Sequence, residues 1–553
     1  MRTLPCTLLV LLAACAVPPS GQDAAATWPQ GTGPNGDWSA EASPPTRFSA
    51  RTGDNLTWRV ALPETGQGGI AVTSDRVYVA TMAPWDPANA LSEEEAARFV
   101  HATEKRSVVG KHIDAHCLDR ATGELLWTRR IEGSVPAIYT YPFSDATSAS
   151  PVADEAHVWF TNAAGRVVCF TRDGETKWSF DWVPAFDGPF NKQFEPFLVQ
   201  DGGRRVLVQM LPGPAPGAED PEDLHGRWHR LVGLDADTGE ELWQSADALT
   251  QYNAPTLARV AAGEGGTVVP CALIGRGGPH AVPERPVGVS LVRLTGENAG
   301  ATVWRYEDPR GNHEAALQTM AHDGAHAFWI LKEPRNALVV LDLATGEDTK
   351  VISLTEGVDV IAFDDEVSHG YQIERGVTLD KGVFPARYSL AAHEGRVLFQ
   401  CYATAWGKAT IGPPYSFGAV DVEAGTVTYL EVPTDREEGD DGEVRWLWRT
   451  PRVARPLNSR GVEVTGDDRC RWDGWDWVFN GSPTIASGVS FHTLASGVVY
   501  AFDLRTERFG PESFLWTSDV GPAGETWTAN SASVAGSELY HRTGRELLRF
   551  DAP

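Results

Sequence analysis

Apolar and polar positions alternate along most of the chain in short runs separated by turn residues, the pattern of half-buried β-strands. The clearest stretch is Ala115-His-Cys-Leu-Asp119-Arg-Ala-Thr122-Gly123-Glu-Leu-Leu-Trp127. It predicts a strand ending at Asp119, a tight turn through Thr122-Gly123, and a return strand carrying Trp127. Asp and Thr side chains hydrogen-bond nearby backbone amides, and Gly supplies the positive φ that such a turn needs. The string returns as Leu231-Val-Gly-Leu-Asp235-Ala-Asp-Thr238-Gly239-Glu-Glu-Leu-Trp243, and in worn form over 167–178 and 338–346. A second unit, two alternating runs about a Ser, Asp or Gly turn, recurs over 69–80, 149–160, 319–330, 481–491 and 532–540.

Each repeat is therefore four short strands, and self-similarity at several tens of residues marks a repeat architecture. The last strand of each repeat is marked at Trp58, Trp127, Trp178, Trp243, Trp304, Lys350, Tyr429 and Trp516. These eight marks predict an all-β fold, an eight-bladed β-propeller of four-stranded antiparallel blades. The six tryptophans among them are expected to dock each blade onto its neighbour. The stretch 532–551 supplies three strands and the region before Trp58 the fourth. One blade is thus built from both chain ends, which closes the ring and protects its sheet edges. A single helix is expected over 91–105, capped by Ser92 ahead of acidic first-turn residues.

The Asp-x-x-Thr-Gly-x-x-x-Trp hairpin, with Ser150-Pro-Val152 and its kin ahead of it, resembles the PQQ-like β-propeller repeat over nearly the whole chain. Trp28-Pro-Gln-Gly-Thr-Gly-Pro-Asn-Gly36 is similar to the opening of secreted bacterial members. The resemblance implies the propeller ring and divides the function in two. One branch is a BamB-like, non-catalytic scaffold that binds or assembles partners in the cell envelope. The other is a pyrroloquinoline-quinone-dependent alcohol or sugar dehydrogenase, which implies a calcium ion, an adjacent Cys-Cys disulfide, Glu, Asn and Asp ligands, and a catalytic Asp. No Cys-Cys dipeptide occurs in the sequence. The scaffold branch is the one expected, with no catalytic residue, metal ligand or cofactor assigned; the quinone with calcium stands as the alternative.

Charge narrows the partners. Against 47 Lys and Arg stand 74 Asp and Glu, a formal net charge of −27, which opposes a nucleic-acid backbone or an anionic membrane surface. The N-terminus reads as an export signal: Met1-Arg2, an apolar run through Leu8-Leu-Val-Leu-Leu12, then Ala13-Ala14-Cys15. Leu12-Ala-Ala-Cys15 also resembles the bacterial lipobox, which implies lipidation of Cys15. The expected organisation is a signal peptide over 1–14, a lipid-anchored flexible tether over 15–27 and a single propeller domain over 28–553. Location then follows as export across the inner membrane to the periplasm or the outer membrane, with membrane contact through the lipid alone. Cys117 and Cys169 occupy matching positions in successive repeats, too far apart for a disulfide. Both are expected to be buried apolar residues.

Other chemistry is sparse. There is no Cys-x-x-Cys, Gly-x-Ser-x-Gly or phosphate-binding loop. His225 and His229 lie in a Gly- and Pro-rich interval without the glutamate of a zinc protease, and His322 and His326 flank a turn. The densest constellation is Arg471-Trp472-Asp473-Gly-Trp475-Asp476-Trp477 in the longest insertion, 433–477. Flat indoles beside carboxylates suit sugar rings or peptide side chains at a binding rim. The plainer reading, and the one favoured, is that these indoles seal the insertion onto the ring. A protein or glycan of the cell envelope is the expected partner.

Overall fold

Eight β-sheets form the body of the chain. The computed structural model describes residues 26–84, 108–133, 137–138, 146–183, 195–213, 228–247, 249, 254–277, 287–307, 319–331, 336–364, 370–379, 390–401, 404–405, 408–409, 416–433, 435–439, 443–448, 481–522 and 526–552. Blade 1 is typical: Ala71–Val72, Arg76–Met82, Ile113–Asp119 and Leu125–Ile131 pair in chain order as an antiparallel meander. Blades 2 to 5 repeat it over 152–181, 197–244, 256–307 and 321–353, blade 6 over 391–431, and blade 7 over 484–519. Blade 8 takes three strands from 533–551 and its outermost from Leu56–Ala61, with Leu56 opposite Phe550 and Ala61 opposite Glu546. Ring closure by the two chain ends is thus made within one sheet. Two blades carry more than four strands. Ser39–Ala40 adds in parallel to the inner edge of blade 7. Val358–Phe363 and Tyr371–Val377 extend the outer edge of blade 6. The expected helix over 91–105 lies outside the described residues.

The repeated turn sequence is used as its chemistry dictates. Asp119 Oδ1 accepts hydrogen bonds from the Ala121 and Thr122 amides and the Thr122 hydroxyl, between 2.9 and 3.1 Å. Those bonds, the Thr122 amide foremost, hold its carboxyl below the usual range. Asp235 and Asp342 make the same amide bonds in blades 3 and 5. Gly123, Gly239 and Gly346 sit at φ of +74°, +78° and +74°, where a Cβ would also strike the tryptophan of the preceding blade.

Apolar burial is concentrated between blades. Clusters straddle blades 1 and 2, 2 and 3, 3 and 4, 4 and 5, 5 and 6, and 6 and 7, and another joins blades 7, 8 and 1. Over these clusters runs a repeated polar latch, made to the carbonyl one residue past the turn aspartate or its equivalent in the next blade. Trp58 Nε1 donates to Arg120 O (3.1 Å), Trp127 to Arg172 O (2.9 Å), Trp178 to Ala236 O (3.0 Å) and Trp304 to Leu343 O (2.9 Å). Lys350 keeps the latch with an ammonium, donating to Val422 O at 2.6 Å and Glu423 O at 2.9 Å. Tyr429 faces the other way: its hydroxyl donates to Leu354 O on the blade 5 side (2.7 Å). Arg396, one strand pair further in, spans the seam to blade 7 through Leu504 O and Thr506 O. Trp243 Nε1 and Trp516 Nε1 have no hydrogen-bond partner among the described residues; Arg47 and Arg436 lie over the Trp516 ring instead.

Cys117, Cys169, Cys271 and Cys401 are free and buried. Burial pushes the thiols of Cys117, Cys169 and Cys271 up to about 12, so they pack as small apolar groups.

Candidate functional site

The meander sets the two faces of the ring apart. First-to-second and third-to-fourth turns share one face and are short, as from Val72 to Arg76 and from Asp119 to Leu125. Strand ends on the opposite face are joined through the longest intervals of chain, including 83–112, 214–227 and 432–483. Binding groups are usually carried on such connections above a rigid scaffold.

Between the faces runs the axis, lined by the first strand of each blade. An inner strand leaves a row of backbone donors and acceptors on its axial edge, which must be paired or hydrated. Residues 28–43 form a strap that meets this need from within the ring. Trp28 exchanges two backbone bonds with Val72 of blade 1 (2.9 and 2.7 Å), and Pro29 O accepts from Ala153 N of blade 2 (2.7 Å). Gln30 Oε1 accepts from Leu198 N of blade 3 (2.9 Å), and Gly36 O from Leu257 N of blade 4 (2.8 Å). Trp38 O then accepts from Ile485 N of blade 7, and Ser43 N donates to Gly536 O of blade 8, both at 2.8 Å. Trp28 and Thr32 are wholly buried. The strap therefore runs along the axis and binds six blades, passing over blades 5 and 6.

Glu195, at the start of the first strand of blade 3, is the axial group with unusual chemistry. Its Oε2 accepts from the Ser150 amide (3.1 Å), and the Ser150 hydroxyl accepts from Gly69 N (2.8 Å). Gly31 of the strap lies so close that a Cβ there would strike the Glu195 carboxyl and the Ser150 hydroxyl. Burial drives the Glu195 carboxyl up to about 7, outweighing the hydrogen bonds from Ser150 that lower it.

A calcium ion with a quinone requires several oxygen ligands converging on one point. Among the described residues no group of three or more His, Cys, Asp or Glu converges. Glu195 is met by a serine and by the strap.

Cys15 and the constellation Arg471, Trp472, Asp473, Trp475, Asp476 and Trp477 lie outside the described residues. Of the six tryptophans expected at the seams, Trp58, Trp178 and Trp304 are buried with their N–H bonded across a seam, and Trp127 is half-buried and bonded. Sequence reasoning missed the strap, whose Gly- and Pro-rich composition reads as a turn-rich lead-in. It also missed Glu195. The available signal was positional: Glu195-Pro196 stands where Ser150-Pro151 and Ser482-Pro483 open their blades.

The sequence family described as "Outer membrane protein assembly factor BamB" matches residues 46–348. The chain belongs to that family. Among solved structures, the quinohemoprotein alcohol dehydrogenase from Comamonas testosteroni is 14% identical, with 95% of this chain and 80% of that one covered and a TM-score of 0.50. The quinohemoprotein alcohol dehydrogenase ADHIIG from Pseudomonas putida HK5 is 13% identical, over 95% and 80%, with a TM-score of 0.49. BamB from Moraxella catarrhalis is 12% identical, over 73% of this chain and 96% of that one, with a TM-score of 0.34. At these identities the first likeness speaks for the propeller fold alone. No curated protein matches the sequence.

Proposed function

We propose that this chain is a non-catalytic binding platform of the bacterial cell envelope, exported and held by a lipid on Cys15, that engages a protein or glycan partner. The observation that carries the reading is the strap. The chain spends residues 28–43 on tying six of its blades together along the axis, and its longest connections are gathered on one face of the ring. Membership of a family described as an assembly factor agrees with that use. The constellation at Trp472, Asp473, Trp475, Asp476 and Trp477 is proposed as part of the partner rim, and the tether over 15–27 as the link to the membrane.

The competing reading is a quinone-dependent dehydrogenase, and one experiment separates them. A ligand that binds only the folded state raises Tm by mass action. Full-length protein titrated with pyrroloquinoline quinone and calcium is expected to keep its Tm and to reduce no artificial electron acceptor when given ethanol or glucose. A rise in Tm with quinone, or any quinone-dependent acceptor reduction, overturns the platform reading.

A further inference from the structure

Where the strap passes over blades 5 and 6 it leaves a cavity of about 360 Å³ beside Asp37, Trp38 and Ser39. This volume is within the range of ligand pockets. The inner strands that wall it, Ala321–His322 of blade 5 and Ala391–His393 of blade 6, pair only outward among the described residues. Their axial edges are the ones that receive no backbone bond from the strap. The strap itself displays what such an edge accepts: next to the cavity, Ser39–Ala40 lies in parallel register against Ile485 and Ala486. An extended chain is therefore the natural complement of the two open edges.

The side chains add a charge preference. Asp37, Asp323 and Glu394 line the cavity, and neither Lys nor Arg does. Among the described residues no salt bridge engages Asp37 or Glu394. Buried Trp38, Met320 and Ile485 supply an apolar wall, which suits the methylene stem of a long cationic side chain. His322 lines the same cavity. Its Nε2 bonds to Leu257 O at 2.9 Å, and its Nδ1 has no hydrogen-bond partner among the described residues.

We infer that the cavity between the strap and the inner strands of blades 5 and 6 docks an extended peptide segment of a partner protein bearing lysine or arginine. The inference rests on the platform reading for the nature of the occupant. It is tested apart from that reading, because neither quinone nor any catalytic turnover enters the assay.

The probe is fluorescein-labelled Ala-Lys-Val-Arg-Ala-amide, followed by anisotropy against the full chain, with Ala-Glu-Val-Glu-Ala-amide as control. Saturable binding that weakens as salt is raised is expected, with the acidic control weaker by about tenfold or more. The pair Asp37→Asn with Glu394→Gln should weaken binding by a similar factor. Ala392→Trp, which fills the cavity, should abolish it while Tm stays near that of wild type. If Ala392→Trp unfolds the ring, the Asp37→Asn, Glu394→Gln pair decides in its place. Equal binding of both peptides, binding that survives the filled cavity, no binding at all, or equally tight binding of free lysine would each overturn the peptide assignment. The quinone titration would still decide the platform reading separately.

Discussion

Individual residues carry the seams. Trp304 is buried, its indole N–H bonds across to blade 5, and Gly346 lies against its ring. Trp304→Ala should therefore cost about 3–5 kcal/mol, as for other buried aromatic side chains, measured by urea denaturation. Trp243 is half-buried and its Nε1 lacks a hydrogen-bond partner among the described residues. Trp243→Ala should cost less, about 1–2 kcal/mol; equal losses at both sites would show that the latch bond adds nothing. Glu195 sets a pH dependence. Its folded pKa is raised from 4.5 to about 7. The folded state then holds the proton longer than the unfolded chain does. Its contribution to stability is full below 4.5 and is lost as pH rises to about 7. His116, His492 and His541, lowered chiefly by burial to about 4, 3 and 4, oppose this slope, because their contribution is lost as pH falls below 6.5. Comparison with Glu195→Gln isolates the carboxyl. The variant should match wild type in Tm near pH 4.5 and exceed it at pH 8, and a difference that is constant with pH would contradict the assignment.

At the level of elements, the hairpin and its partner in the next blade act as one unit. The last seam before the enlarged blade 6 is instructive, because Lys350 stands where an indole stands elsewhere yet reaches the same carbonyl position. An ammonium on a flexible stem can replace a rigid N–H when the acceptor is a backbone carbonyl. Lys350→Met should preserve the apolar stem and lose the latch, at a cost of about 1 kcal/mol. Faster amide exchange is expected in Thr426–Glu431 and Asp348–Ser353. Unchanged exchange in both strands would place the strength of that seam in its apolar cluster alone. Second strands carry a comparable rung deeper in the ring. Thr493 Oγ1 meets His541 Nε2, and Gln209 Nε2 donates to Thr161 Oγ1, each at 2.9 Å across a seam. Buried polar pairs of this kind fix which neighbour a blade accepts, since an unmatched partner would leave a buried group unbonded.

At the level of the whole molecule, closure is the controlling feature. Blade 8 exists only when Leu56–Ala61 pairs with Glu546–Asp551. Removing 532–553 takes three strands from that blade and exposes the edges of blades 7 and 1. The truncated chain should lose its cooperative thermal transition, and retention of a wild-type Tm would show that the ring is stable while open. The same N-terminal region supplies the strap, so residues 28–61 both run along the axis and close the ring. Anchoring belongs to this scale too. Cys15→Ala should move the protein from the membrane to the soluble envelope fraction, because stable anchoring needs more than one acyl chain or signal. A wild-type chain recovered wholly in the soluble fraction would remove the lipid from the proposal.

What the sequence determined by itself was local and repetitive. Period-two alternation, the Asp and Thr-Gly turn chemistry and the tryptophan marks are each set by residues close together in the chain, so the eight blades and their closing strand could be counted before any contact was known. Burial of Cys117 and Cys169 followed from the same periodicity. The tertiary structure alone decided everything that depends on which repeat meets which. Tyr429 stands one residue out of the register of the other marks, since Thr428 and not Tyr429 lies opposite Ala419, two before the turn Asp421; in a strand that slip turns the side chain to the other face, toward blade 5. Residues 28–43 lack any strand periodicity, yet backbone groups of six blades hold them in place. Glu195 looks like any acidic residue until the ring places it against Gly31 and Ser150, where lost hydration keeps its proton near neutrality. The cavity at blades 5 and 6 is a difference between where the strap goes and where it does not. No local pattern encodes such a difference, since it arises from contacts between segments hundreds of residues apart.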